Sequence, residues 1–329
     1  MEPAMTQFGF VASGGGYRSF YTAGALVWLQ RHDVPLVHVT STSSGNNIVL
    51  DYLMWDWKAE ELPPTLTQTF RLSLKDIFDV FSNFAGLKPT LIPTGTHLFT
   101  VDKDKCRNSL LLDRSDRQAL LKTHLQAIKW DILTTNITRR RSEAFRVNEI
   151  LLDFSAQALD RFMDVFLAGI TTIPYFKAIK MDEQYYLEGG YLDNTPMRAL
   201  FEDPDVDEII AVDFTEYDYH AEIDKLYRNH PFNLLFNSIE MNLLVNDIQL
   251  SLPNSSIFAQ ASLINALLSH LGKTSIQLGE RTYYHKPLRI LRPSNLESMT
   301  VSLADARIQK EYFALGEKEI AACFSGTVT

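Results

Sequence analysis

Three short segments of this chain concentrate the residues able to do chemistry. Ser13-Gly14-Gly15-Gly16-Tyr17-Arg18 follows the apolar run Phe8 to Ala12 and precedes a helix-patterned stretch. Its three glycines leave backbone N–H groups uncovered beside a helix N-terminus, a setting that attracts negative charge and suits a phosphate or an oxyanion. Ser41-Thr42-Ser43-Ser44-Gly45 follows the G-x-S-x-G pattern of a nucleophile elbow, with serine at the first glycine. Small residues at both ends of that pattern let a strand and a helix approach, so that Ser43 is held in a strained turn with its hydroxyl exposed. The third segment is Glu188-Gly189-Gly190, followed by Asp193-Asn194-Thr195-Pro196, which offers a carboxylate in a glycine-rich loop. Each segment also has a plainer reading, since serine-rich turns and glycine hairpins are common.

The surrounding pattern supplies the elements that must position these residues. Phe8 to Ala12 reads as a buried strand and Arg18 to Gln30 as a helix, with Phe20, Tyr21, Ala25, Leu26 and Leu29 at helical spacing. Leu36 to Thr42 is a second strand, and Asn46 to Lys58 a second helix. Both candidate turns therefore join a strand to a helix. Ile128 to Asn136, Ala144 to Val147 and Glu208 to Thr215 read as strands, Asp160 to Ala168 as an amphipathic helix, and Tyr185 to Leu187 as a short apolar stretch before the acid loop. Leu288 to Leu291 is a final strand and Ser302 to Phe324 a final helix.

Segment 62–123 carries Pro89, Pro93 and Gly95 and is expected to be a cap or insertion; 217–285 is expected to be a helical extension, with helices at Phe232 to Leu250 and Ile257 to Leu271. Those two helices read as core, with a membrane-facing lid or an oligomer contact as the other uses of such apolar faces. Neither a repeat nor a linker divides the chain, so 1–329 reads as one domain.

Composition narrows the function classes. The 329 residues are 46% hydrophobic and 22% charged, and no run of eighteen apolar residues suggests a membrane span. The start of the chain lacks the pattern of a secretory signal, which leads to the expectation of a cytoplasmic protein. A net charge of −9 argues against a dedicated nucleic-acid binder. Arg139-Arg140-Arg141 is the one conspicuous basic run, read as a solvated turn or as a contact for a lipid or nucleotide phosphate. Cys106 and Cys323 lack metal-site or disulfide spacing. The glycine loop is neither a P-loop, for want of GxxxxGK[ST], nor a dinucleotide fingerprint, since Ser19 occupies the third glycine position.

Taken together, in this order and spacing, the three segments resemble the patatin-like phospholipases: a GGGxR oxyanion loop, a GxSxG elbow, and a downstream DG[GA] acid. Gly24 and Leu26 in the first helix, Ile173-Pro174-Tyr175-Phe176 before the acid loop, and Asn194 and Pro196 after it extend the likeness. The resemblance implies a three-layer α/β/α sandwich around a mostly parallel sheet. It also implies a serine-dependent lipid acyl hydrolase of phospholipase A or lysophospholipase type, without a metal or organic cofactor. Carried over, Ser43 is the nucleophile, Glu188 the acid of a Ser–acid dyad, and Gly14, Gly15, Gly16 and Arg18 the oxyanion loop. The expected partners are a phospholipid or other lipid ester, with peripheral membrane contact, an activator or a homo-oligomer all compatible with the family.

Two departures stand out: Glu188 replaces aspartate, lengthening the acid by one methylene, and Ser41 replaces glycine. Asp193 is a nearby substitute for the dyad acid. The departures motivate a second reading, a weakened scaffold that binds a lipid, nucleotide or protein partner. A Ser-His-Asp hydrolase using His285 is a third, disfavoured because only one strand precedes the strand leading into Ser43.

Overall fold

Short apolar runs alternating with helix-patterned segments build a layered α/β structure in the computed structural model, which describes residues 5–56, 103–173, 176–214, 256–293 and 306–326. The fully buried β1 (Phe8–Ala12) passes through a 3-10 turn (Gly16–Arg18) into α1 (Ser19–Arg31), and β2 (Leu36–Ser41) passes into α2 (Ser44–Met54). Next come α3 (Lys103–Ser109), α4 (Ser115–Ala127), β3 (Lys129–Asn136), β4 (Arg141–Arg146), α5 (Val147–Ile150) and α6 (Ala156–Ile170). The hairpin β5 (Ile179–Met181) and β6 (Gln184–Glu188) leads to α7 (Arg198–Glu202) and β7 (Glu208–Val212). Helix α8 (256–271), the hairpin β8 (Ser275–Leu278) and β9 (Arg281–Tyr284), β10 (Leu288–Leu291) and α9 (Ala306–Ser325) follow.

Among the described residues, eight strands form one sheet. β10, β7, β1, β2 and β3 are mutually parallel neighbours in that order, while β4, β6 and β5 add antiparallel. The larger core, on the face of α1, α2, α6 and α9, includes Phe10, Val39, Ile48, Trp130, Phe162 and Phe166. A smaller one on the other face joins Val11, Leu200, Phe201, Ile209 and Phe258 of α7, α8 and the sheet. Together they give the expected three layers. Helices α1 and α9 cross at reciprocal glycines: a Cβ on Gly24 would stand 2.0 Å from Phe313 O, and one on Gly316 2.0 Å from Tyr21 O.

Some expectations lie outside the described residues, namely 62–102 of the cap and 217–255 of the extension, including the helix expected over Phe232 to Leu250. Within the rest of the extension the all-helical reading is corrected. Residues 275–284 are a hairpin, because Thr282, Tyr283 and Tyr284 favour strand and Gly279, at φ +63°, supplies the turn. The strand expected at Ala144 to Val147 starts earlier, at Arg141, since as an antiparallel neighbour of β3 it needs no continuous apolar run.

Alternation along β2 sends His38 and Thr40 toward α7, and Val39 and Ser41 toward α2. The buried His38 ring bonds Asp203 through Nδ1 (2.7 Å) and Asp131 through Nε2 (2.9 Å). Arg146 pairs with Asp131, and Lys129 with Asp203 (2.8 Å). Burial by itself would lower the His38 imidazole, but its bonds to Asp131 and Asp203 outweigh that and raise it above the ordinary value. Burial likewise opposes ionisation of Asp131 and Asp203, yet His38, Arg146 and Lys129 hold both carboxyls below their usual range. On the opposite face, the Ser41 hydroxyl donates to Asn46 Oδ1 (2.7 Å) and accepts from Trp130 Nε1 (2.7 Å), tying the end of β2 to α2 and β3.

Two predictions follow from these contacts. His38→Ala leaves Asp131 and Asp203 without the cation between them and is expected to cost about 3–5 kcal/mol in urea unfolding. The contribution of His38 is full below its unfolded pKa of about 6.5 and is lost as pH rises through the raised folded value. Those of Asp131 and Asp203 are lost as pH falls below about 4 toward their depressed values. The gap between wild type and variant is therefore widest from about pH 4 to 6.5. Ser41→Gly, although it completes the G-x-S-x-G pattern, strips partners from buried Trp130 and Asn46 and is expected to destabilise by about 1–3 kcal/mol.

Candidate active site

The register of β3 decides where the serine and the acid lie. β2 pairs with Lys129 to Ile132, its last residue Ser41 opposite Ile132; β6 pairs with Thr134 to Asn136, its last residue Glu188 opposite Thr134. β4 pairs with Asp131 to Asn136 and so overlaps both. A strand has two edges, so β2 and β6 share the edge that β4 leaves. They reach it from opposite directions, β2 running parallel to β3 and β6 antiparallel. The Ser43 turn and the Glu188-Gly189 turn therefore meet head-on, with Leu133 alone between the two registers. Their contact is direct: a Cβ on Gly189 would lie 2.6 Å from Thr42 Oγ1 and 2.6 Å from Leu133 O.

Ser43 sits at φ +54°, ψ −135°, a conformation that costs a non-glycine residue of order 1–3 kcal/mol and persists only where its surroundings impose it. Three contacts do so. Thr42 N donates to Ala12 O (3.2 Å) and Ser43 N to Gly169 O (2.9 Å), while a Cβ on Gly45 would lie 2.2 Å from Ala12 O. Immediately after Ser43, α2 begins, so the serine stands at the positive end of an eleven-residue helix.

Glu188 is 1% exposed, and the C-terminal end of α6, which also holds Ser43, fixes it. Glu188 N donates to Thr171 O (2.9 Å), and the Thr172 hydroxyl donates to its carboxylate. The four residues Gly169 to Thr172 thus clamp both members of the candidate dyad. Sequence reading missed them; the signal available was an amphipathic helix ending in Gly169-Ile170-Thr171-Thr172 just before Ile173.

The glycine loop packs over the same junction. A Cβ on Gly14 would lie 2.7 Å from Ser43 Cβ and 2.4 Å from Asn194 Oδ1, so only glycine fits. Asn194 Nδ2 donates to Gly14 O (2.9 Å), and the Ser13 hydroxyl donates to Val212 O and reaches Thr195 Oγ1 (3.2 Å). Gly15 N donates to Ser44 Oγ (3.2 Å), itself bonded to Ser19 Oγ (2.6 Å). Gly16 has φ +56°. Among the described residues, no backbone acceptor takes the N–H of Gly14 or Gly16. Arg18 is buried, with Nε on Gly15 O (3.3 Å) and its guanidinium 5.6 Å from the Phe214 ring centre, so it braces the loop from behind.

The other candidates lie elsewhere. The Asp193 carboxylate accepts from Thr195 N (3.1 Å) and lines a cavity of about 480 Å³ between α7, α8 and β9; burial pushes it up to about 6, against the pull of Thr195 N–H and Arg198. His285 is exposed just before β10, at the opposite end of the parallel strands from Ser43, which removes the Ser-His-Asp alternative. Arg139 and Arg140 form the β3–β4 turn, and Arg141 opens β4. Cys106 and Cys323 are free thiols. Among the described residues there is no group of three or more His, Cys, Asp or Glu side chains placed to hold a metal, and no helix is long and apolar enough to cross a membrane.

The family model described as patatin-like phospholipase matches residues 10–201, a span that holds the glycine loop, the serine turn and the acid loop. Among solved structures, VipD from Legionella pneumophila is similar at 12% identity and a TM-score of 0.44, covering 99% of this chain and 67% of its own. No curated protein sequence matches. With the family model covering more than half of its length, the chain belongs to the patatin-like phospholipase family.

Proposed function

We propose that this protein is a lipid acyl hydrolase of phospholipase A or lysophospholipase type, with Ser43 as nucleophile and Glu188 as its base. The observation that carries the reading is the meeting of the Ser43 and Glu188 turns on one edge of β3, under a glycine loop whose Gly14 and Gly16 N–H groups meet no backbone acceptor among the described residues. Ser43 Oγ attacks the ester carbonyl carbon while its proton passes to Glu188. Negative charge then develops on the carbonyl oxygen, and the N–H groups of Gly14 and Gly16 stabilise it, with Gly15 tied to Ser44 and Arg18 holding the loop. Collapse of the tetrahedral intermediate breaks the ester C–O bond, and the leaving alkoxide takes the proton from Glu188. Water then attacks the acyl-serine with Glu188 again as base, releasing the fatty acid and restoring Ser43. Thr172 aims the Glu188 carboxylate; the longer glutamate is accommodated because that hydroxyl anchors it.

Fatty acid release from mixed phospholipid vesicles is the test. Ser43→Ala and Glu188→Ala are expected to fall by about 10²–10⁴-fold, whereas Glu188→Asp, which keeps a carboxylate, stays within about tenfold. Thr172→Val, which removes the aiming hydroxyl, is expected to lower kcat about tenfold with KM little changed. Absence of release by wild type and by Glu188→Asp would contradict the reading and leave a binding scaffold.

A further inference from the structure

The β3–β4 hairpin tip stands at the same end of the sheet as Ser43 and projects beyond it. Glu188 is level with Thr134, and the tip begins at Ile137, three residues or about 10 Å further along β3. The tip is firmly built. Asn136 Oδ1 accepts from Arg139 N (2.8 Å), Ile137 N donates to Tyr185 O (3.0 Å), and Tyr185 N donates to Thr138 Oγ1 (3.0 Å). Two large apolar side chains stand out on it, Ile137 at 43% and Tyr185 at 42% exposure, beside the exposed Arg139, Arg140 and Arg141. Arg140 holds φ +54°, and among the described residues it makes no ion pair.

The charge balance here is opposite to that of the whole chain. Glu143 pairs with Arg139 and Arg141, and the adjacent β5–β6 turn contributes Asp182, paired with Arg161, and Glu183, paired with Lys180. Five cations thus face three carboxylates, on a molecule whose net charge is −9. An anionic surface repels such a chain overall and attracts it at this end, which orients the encounter. An aliphatic residue and a tyrosine flanked by arginines fit the headgroup boundary of a bilayer, where amphipathic rings and cations are both favourable.

We propose that the hairpin tip 137–141, together with Tyr185, docks the protein on an anionic phospholipid bilayer and holds the Ser43 end against it. The proposal deepens the lipid-hydrolase reading and rests on it for its purpose, but its test does not require catalysis. Full-length Ser43→Ala protein is floated with vesicles of phosphatidylcholine alone, or of phosphatidylcholine with about a third phosphatidylserine, at low and high salt. Binding is expected only to the anionic vesicles and only at low salt. Arg140→Gln is expected to weaken it about fivefold, Arg140→Lys to retain it, and Ile137→Ser to weaken it with charge unchanged. Equal binding to both vesicles, or unaltered binding by Arg140→Gln and Ile137→Ser, would overturn the proposal. In otherwise wild-type protein, Arg140→Gln should slow vesicle hydrolysis and leave hydrolysis of a water-soluble monomeric ester unchanged; equal loss on both substrates would also overturn it. Failure of wild type to hydrolyse either ester would count against the catalytic reading and leave the vesicle result standing.

Discussion

The structure turns on one edge of β3, which two strands share from opposite ends. β2 climbs to Ser41 and β6 descends to Glu188, and the space between them is the height of a single residue. Chain that enters so small a gap must turn sharply and carry little side chain. Ser43 accepts a strained backbone there, and glycine occupies positions 14, 45 and 189, where a Cβ would fall within 3 Å of neighbouring atoms. The same crowding brings a hydroxyl, a carboxylate and a glycine loop together at one junction.

What surrounds the junction divides into supports with different physics. α6 holds it from one side by backbone hydrogen bonds to Ser43 and Glu188, and its own position is set by Phe162 and Phe166 in the larger core. From the other side the loop Asp193 to Pro196 reaches back, Asn194 to Gly14 O and Pro196 O to the Thr40 hydroxyl (2.6 Å). Lower on β2, about three residues from the serine turn, the His38 network replaces apolar packing with a charged cluster whose members satisfy one another. Such a cluster contributes little net stability compared with a hydrophobic one, yet removing a single member is costly, so it fixes one register of β2, β3 and the chain after α7.

Much of this was legible in the sequence because the site is assembled from local signals. β1 is found at its expected bounds, the glycine loop and serine turn join strands to helices, and Glu188 ends β6 directly before its two glycines. The head-on meeting of β2 and β6 was not legible, since pairing of Thr134 with Glu188 depends on contacts 54 residues apart that no periodicity encodes. Nor was the role of Ser41, which reads as a departure from glycine and is a buried hydrogen-bonding hub. Thr171 and Thr172 escaped notice because a threonine pair after a helix is ordinary until its partner strand is known. The hairpin at 275–284 was hidden by the apolar character of the helix before it.

The most direct test of the account is covalent trapping with an alkyl fluorophosphonate, in which a serine oxygen displaces fluoride from phosphorus and loses its proton to the neighbouring base. Mass spectrometry of the intact protein and its peptides should find a single phosphonyl group, on Ser43, absent from Ser43→Ala and formed at least about 10²-fold more slowly in Glu188→Ala. A label on another residue, or a rate on Ser43 indifferent to Glu188, would contradict the claim that the two turns meeting on β3 form a catalytic pair.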